Sequence, residues 1–222
     1  MLTAPRPVHP DMPPAIDSVS LELAELARIL EPERGILILH RPPDPAINDE
    51  IADLPANALR GARARLDAGD VGGTIARLLD EHDLDPQHFP AWRADIEAVA
   101  ERFLALTDRL PQPAPATLRL ETLGDDGCRR FHVDLCRLRL LCTYRGPGTE
   151  WLDHDQVDRH ALTSHQPNEA ILRHGQPNRL APFQIAVLKG ERFPGNAGLG
   201  LVHRSPPIAG TGTVRVLVCI DA

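Results

Sequence analysis

Phe131-His132-Val133-Asp134-Leu135-Cys136-Arg137-Leu138-Arg139-Leu140-Leu141-Cys142-Thr143-Tyr144 is the stretch on which the fold turns. Read as a strand over residues 130–144, it sets residues two apart on one side. His132 and Asp134 then project together, about 7 Å apart at a rise of roughly 3.3 Å per residue. Cys136, Leu138, Leu140, Cys142 and Tyr144 continue that face, while Arg137, Arg139 and Arg145 take the other. A mostly apolar face with one His and one Asp at its mouth suits the inner wall of a barrel. An ionised Asp is costly on such a face unless it is paired or bound to a cation. That cost points to a metal.

Further strands are expected around it at 117–123, 150–152, 183–188, 199–203 and 213–220, separated by Gly124-Asp125-Asp126-Gly127, Gly146-Pro147-Gly148 and Pro194-Gly195-Asn196. Short strands with Gly/Pro punctuation read as a sandwich or barrel. Glycine supports the division of the chain, with five before residue 117 and eleven after it. The earlier half reads as helical. Val19, Leu23, Leu26 and Leu30 fall at helical spacing with Ser18 or Ser20 as caps, and Val71, Ile75, Leu78 and Leu79 mark a second helix. Trp92, Ile96, Val99, Phe103, Leu106 and Leu110 give the strongest periodic stripe, opened by Pro90. Gly35–Leu39 reads as one buried strand. The expected organisation is a disordered proline-rich tail over 1–14, a mainly helical region with one strand over 15–116, and a β core over 117–222. Residues 153–181, polar and His-rich, read as a long loop or lid.

A second constellation lies near the end. Leu199-Gly200-Leu201-Val202-His203 runs into a turn, and Arg215 follows His203 by twelve residues. In the last strand, Arg215 shares a face with Leu217 and Cys219, and Val214, Val216, Val218 and Ile220 share the other. An Arg in a strand buried on both sides needs an anion, and its planar fork suits a carboxylate. Two His and one carboxylate with open positions make the facial triad of non-haem Fe(II) oxygenases.

The order His-x-Asp, a distal His 69 residues after the Asp, and an Arg twelve further on resembles the Fe(II)/2-oxoglutarate-dependent dioxygenase superfamily. The resemblance covers about residues 117–222. It implies an α+β protein whose C-terminal half is a double-stranded β-helix (a jelly-roll, cupin-like barrel) packed by helices of the N-terminal half. It further implies that His132, Asp134 and His203 hold Fe(II), and that Arg215, with Tyr144, binds the far carboxylate of 2-oxoglutarate. At full length, the phrases RFHVD, LLCTYRGPGTEWL, LKGE and LVHRSPP resemble the bacterial family called domain of unknown function 1826.

The same three ligands suit Zn(II), so a zinc-binding protein of metal homeostasis without turnover is the alternative. Arg215 separates the two, since a metal carrier needs no buried cation beside its site. Arg204 competes with Arg215 as the anchor because it directly follows the distal His. His154, His160, His165 and His174 with Asp153, Asp155 and Asp158 would form a substrate-contacting lid, a second metal site or a solvated loop. Cys128 would reach a metal only if the Gly127 turn folds back. The 222 residues carry 24 Lys+Arg against 31 Asp+Glu, a net charge of -7, which argues against a nucleic-acid partner. No apolar run approaches the roughly 18 residues of a membrane span, and the N-terminus lacks the form of a secretory signal. A cytoplasmic protein with free thiols, acting on a small molecule or a protein side chain, is expected, with oligomeric state open.

Overall fold

The computed structural model describes residues 23–112 and 115–222. The proline-rich segment 1–14 and the caps proposed at Ser18 and Ser20 lie outside the described residues. Within them, a short α1 (Leu23–Leu26) runs into a 3-10 turn and then β1 (Ile36–Leu39). Next come α2 (Pro45–Ile51), β2 (Arg63–Arg65), α3 (Val71–Asp80) and α4 (Pro90–Thr107). Asp44 caps α2, its carboxylate accepting from the Ala46 N–H at 2.8 Å. The start of α4 is capped from a distance: Glu50, on α2, accepts from the N–H groups of Ala91 and Trp92 at 2.8 Å each. These are orphan donors that no intrahelical carbonyl reaches.

The second half supplies β3 (Thr117–Leu123), β4 (Leu138–Arg145), β5 (Glu150–Trp151), α5 (Arg159–Thr163), α6 (Asn168–Ile171), β6 (Asn178–Arg179), β7 (Ile185–Lys189), β8 (His203–Arg204) and β9 (Arg215–Asp221). They form two antiparallel sheets, one of six strands in the order β1-β7-β4-β9-β3-β2 and one of three in the order β6-β5-β8. The six-stranded sheet buries one face, with Leu140, Tyr144, Val187, Val216 and Val218, against the helical stripe Trp92, Ile96, Val99, Phe103 and Leu106. Its other face packs Leu141, Ala186, Leu188, Leu217 and Cys219 against Trp151 of the small sheet and against Leu180 and Leu201, which flank its strands. Beyond the small sheet, α5 and α6 close a third cluster over Phe131, Leu152 and Val202. The fold is thus mixed helix and antiparallel sheet. The sheets face each other, and no closed barrel forms among the described residues.

Three expectations change. The strand expected over 130–144 begins only at Leu138; before it, His132 makes an isolated bridge and residues 135–137 bend. Parity therefore does not carry through: Leu138, Leu140, Cys142 and Tyr144 face the helices, whereas Leu141 joins the cluster between the sheets. At the break the carbonyls of Arg137, Asp134 and Cys136 accept from the N–H groups of Gly190, Glu191 and Arg192, and Gly190 allows this close approach, since a Cβ there would meet the Cys136 carbonyl oxygen at 2.2 Å. The segment 153–181 is not a loop but holds α5, α6, β6 and a 3-10 turn, each too short to print a period on the sequence. The helix α2 and the strand β2 were not expected, because neither carries a periodic apolar stripe.

Candidate metal centre

His132 and His203 meet as an antiparallel bridge. Each backbone N–H donates to the other's carbonyl at 3.0 Å, so the two residues sit directly opposite and on the same face. Their ring centroids are 4.5 Å apart. Asp134 joins them from the bend that follows. Its Oδ2 lies 3.2 Å from His203 Nε2, and its Oδ1 lies 3.8 Å from His132 Nε2. One ligand atom from each of the three falls within 4.8 Å of the others, the only such group of three among the described residues.

The hydrogen bonds orient both rings. His132 Nδ1 lies 2.8 Å from the Arg130 carbonyl oxygen and His203 Nδ1 lies 3.1 Å from that of Leu201. A carbonyl only accepts, so Nδ1 of each ring carries a proton, and Nε2 is the nitrogen that faces the cluster. Burial pushes the His203 pKa down to about 4, with Asp134 opposing, so this ring is neutral at pH 7. Asp134 Oδ2 is buried and has no hydrogen-bond partner. A lone-pair nitrogen and an orphaned carboxylate oxygen thus face each other at 3.2 Å. That is the spacing of two donors bound to one ion, since bonds of about 2.1 Å at right angles separate ligands by about 3 Å. Two acceptors at this distance are favourable only with a cation between them. The residues present fit a divalent metal.

A cavity of about 110 Å³ opens beside these three, lined among others by Leu141, Thr149, Ser205, Leu217 and Cys219. Arg215 lies behind its wall and is 0% exposed. Its Nε donates to the Pro147 carbonyl at 2.7 Å, and its other nitrogens reach only the hydroxyls of Ser205, Thr143 and Thr149, at 3.4–3.5 Å. Gly146 makes this approach possible, with a φ of +82° and space for no side chain beside Val214 and Arg215. No carboxylate of the described residues touches the guanidinium. Burial accordingly pulls its pKa down to about 10, and Glu121 and Glu150 only partly oppose this. Those two carboxylates are engaged elsewhere. Glu121 holds Arg119 at 3.3 Å, and Glu150 takes Arg204 at 2.7 Å together with Arg179. Arg204, further stacked 4.4 Å from the Phe131 ring centroid, is therefore committed, and of the two anchors weighed in the sequence only Arg215 is free.

Tyr144 is a correction. Its hydroxyl donates to Asp95 Oδ2 at 2.6 Å on the helical side of the sheet, between Trp92 and Phe183. The lost parity along 131–137 places it away from the cavity. The lost parity also hid Arg139, expected on the far face. Arg139 donates to Asp134 Oδ1 at 2.5 Å and grips Asp221 with two further nitrogens. Spacing in the sequence gave no signal for this contact. Cys128 is exposed and outside the cluster. The His/Asp-rich stretch brings no three ligand atoms together among the described residues, its nearest pair being His174 and Asp155 at 3.9 Å.

The family model described as "Protein of unknown function (DUF1826)" matches residues 20–221, and the chain belongs to this family. No curated protein matches it. Among solved structures, a rice dioxygenase for auxin oxidation is similar at 19% identity and a TM-score of 0.49, over 90% of this chain and 77% of that one. The dioxygenase for auxin oxidation 1 of Arabidopsis thaliana, in a complex with 2-oxoglutarate, is similar at 13% identity and a TM-score of 0.46, over 90% and 79%. A Pseudomonas putida prolyl-4-hydroxylase is similar at 13% identity and a TM-score of 0.38, over 82% and 97%.

Proposed function

We propose that the chain is a non-haem Fe(II)- and 2-oxoglutarate-dependent oxygenase, with the two facing sheets read as a short-walled double-stranded β-helix. The observation that carries this reading is the pairing of two unmet demands around one cavity. Three ligand atoms converge within 4.8 Å of one another, Asp134 Oδ2 has no hydrogen-bond partner in the protein, and the buried Arg215 guanidinium meets no carboxylate of the described residues. Bound iron would supply the activation of dioxygen. His132 and His203 would offer their Nε2 nitrogens, each ring oriented by a backbone carbonyl at Nδ1. Asp134 offers the single negative charge. Arg215, with the hydroxyls of Ser205 and Thr149 at the cavity wall, fixes the far carboxylate of the keto acid. Leu141 and Leu217 supply apolar wall to the space between.

The primary substrate, a small molecule or a protein side chain, enters from an open groove at Gly127, Cys128, Arg129 and Arg130, which shares His132 with the inner cavity. Four unpaired cysteines favour a cytoplasmic setting. The test is anaerobic reconstitution with Fe(II) followed by an assay for succinate from 2-oxoglutarate, with Zn(II) affinity measured in parallel. Succinate formation that depends on iron and oxygen supports the oxygenase. Tight Zn(II) binding by a protein that does not bind the keto acid replaces it with the zinc-binding alternative.

A further inference from the structure

The structure assigns to Arg139 the role of a positioning residue that decides which oxygen of Asp134 meets the metal. This rests on the metal reading above. Arg139 and Asp221 are cross-strand partners of β4 and β9. The Asp221 carboxylate accepts from Arg139 Nε at 2.5 Å and from Nη2 at 3.0 Å, a bidentate grip that fixes the guanidinium plane. Asp221 is itself braced by Arg119 Nη2 at 3.4 Å. One nitrogen remains, Nη1, and it donates to Asp134 Oδ1 at 2.5 Å. Both partners are nearly shielded from water, Arg139 at 15% and Asp134 at 9% exposure. With Oδ1 claimed, Oδ2 alone is left for the metal, and Oδ2 is the atom found buried, unpartnered and 3.2 Å from His203 Nε2. A metal held here would take one bond from this carboxylate beside those from the two imidazoles.

Charge and geometry make opposite demands here, and this makes the assignment testable. A guanidinium touching a ligand carboxylate repels an incoming dication, so removing it would tighten metal binding if charge alone mattered. If orientation matters more, removing it frees the carboxylate to rotate, and binding weakens. Lysine distinguishes the two again, because it keeps the charge but cannot grip Asp221 and Asp134 together.

The experiment compares the full chain with Arg139→Met, Arg139→Lys and Asp221→Asn, using Co(II) and Mn(II) as probes. Affinity, the Co(II) visible spectrum and the melting temperature of the metal-free protein are measured together. Both Arg139 variants are expected to bind Co(II) about 10- to 100-fold more weakly, with a changed Co(II) spectrum. Arg139→Met is also expected to melt below the parent, because Asp134 and Asp221 lose their partner, so affinities are compared below its melting temperature. Asp221→Asn, which keeps Arg139 but loosens its brace, is expected to fall between. Unchanged or tighter binding in Arg139→Met, or full rescue by Lys, overturns the assignment. If Arg139→Met does not fold, Asp221→Asn decides: parental affinity with a parental spectrum overturns the assignment, and weaker binding with an altered spectrum supports it. A parent protein that binds neither ion overturns the metal reading itself, an outcome distinct from the failure of Arg139 alone.

Discussion

Two buried arginines lie on opposite sides of the six-stranded sheet, and their surroundings differ in kind. Arg41 lies on the helical side against Cys142, Tyr144 and Phe183, and Asp95 of α4 meets it with both carboxylate oxygens, at 2.5 and 2.8 Å. Burial alone would pull its pKa down, but the Asp95 hydrogen bonds and nearby charges hold it above the usual arginine value. Arg215, on the cleft side, has a carbonyl and three distant hydroxyls, and burial wins. A fold that buries a guanidinium for its own stability supplies the carboxylate from its own chain. Under the function proposed above, the keto acid supplies at Arg215 the carboxylate that the chain does not.

The sharpest way to break this contrast is Asp95→Ala. It strands Arg41 and removes the acceptor of Tyr144, so urea unfolding is expected to show a loss of about 3 kcal/mol, with metal binding intact. On the other side, Asp134→Ala is expected to weaken Co(II) or Fe(II) binding at least about a hundredfold, as a charged ligand is lost; isothermal titration giving the parental affinity would remove Asp134 from the site. Arg215→Met is expected to weaken 2-oxoglutarate binding by one to two orders of magnitude, matching the roughly 1.5–3 kcal/mol of a charged hydrogen bond. The same variant should unfold at the parent's urea concentration or above, since it replaces an unpaired buried cation with an apolar chain. A marked loss of stability there would make Arg215 structural, like Arg41. Tyr144→Phe is expected to cost about 1 kcal/mol of stability and to leave keto-acid binding unchanged; a change in that binding would return Tyr144 to the cavity.

The smallest effect concerns pH. The folded His203 pKa, about 4, lies below its ordinary value of 6.5. The unfolded chain therefore binds the proton more readily between those values. The stability of the metal-free protein should fall as pH drops from 6.5 towards 4. Urea midpoints measured across that window, in the parent and in His203→Gln, would show the slope reduced in the variant.

The stretches that spoke clearly in the sequence were those where one property repeats. The α4 stripe was legible because five apolar residues, Trp92, Ile96, Val99, Phe103 and Leu106, share a helical face, with Leu110 beyond the helix end. The last strand was legible because Arg215, Leu217 and Cys219 alternate with Val216, Val218 and Ile220, and the structure sends the two sets to opposite sides of the sheet. Residues 131–137 were not legible. Alternation continues through them in the sequence, but the chain bends around Gly190 and the alternation is lost in space. That one break misplaced Tyr144 and concealed Arg139.

By itself the sequence determined the helical layer, most of the strands, and the chemical types offered to a divalent ion at His132, Asp134 and His203. Those follow from side-chain period and from the cost of burying charge, both of which are local. Only the tertiary structure decided that β8 lies directly against His132, that Arg139 is turned towards Asp134, and that Arg215 rather than Arg204 is left without a carboxylate. These are pairings between residues up to 71 positions apart (His132 to His203). No local period encodes them, because each depends on which partners the rest of the fold has already claimed.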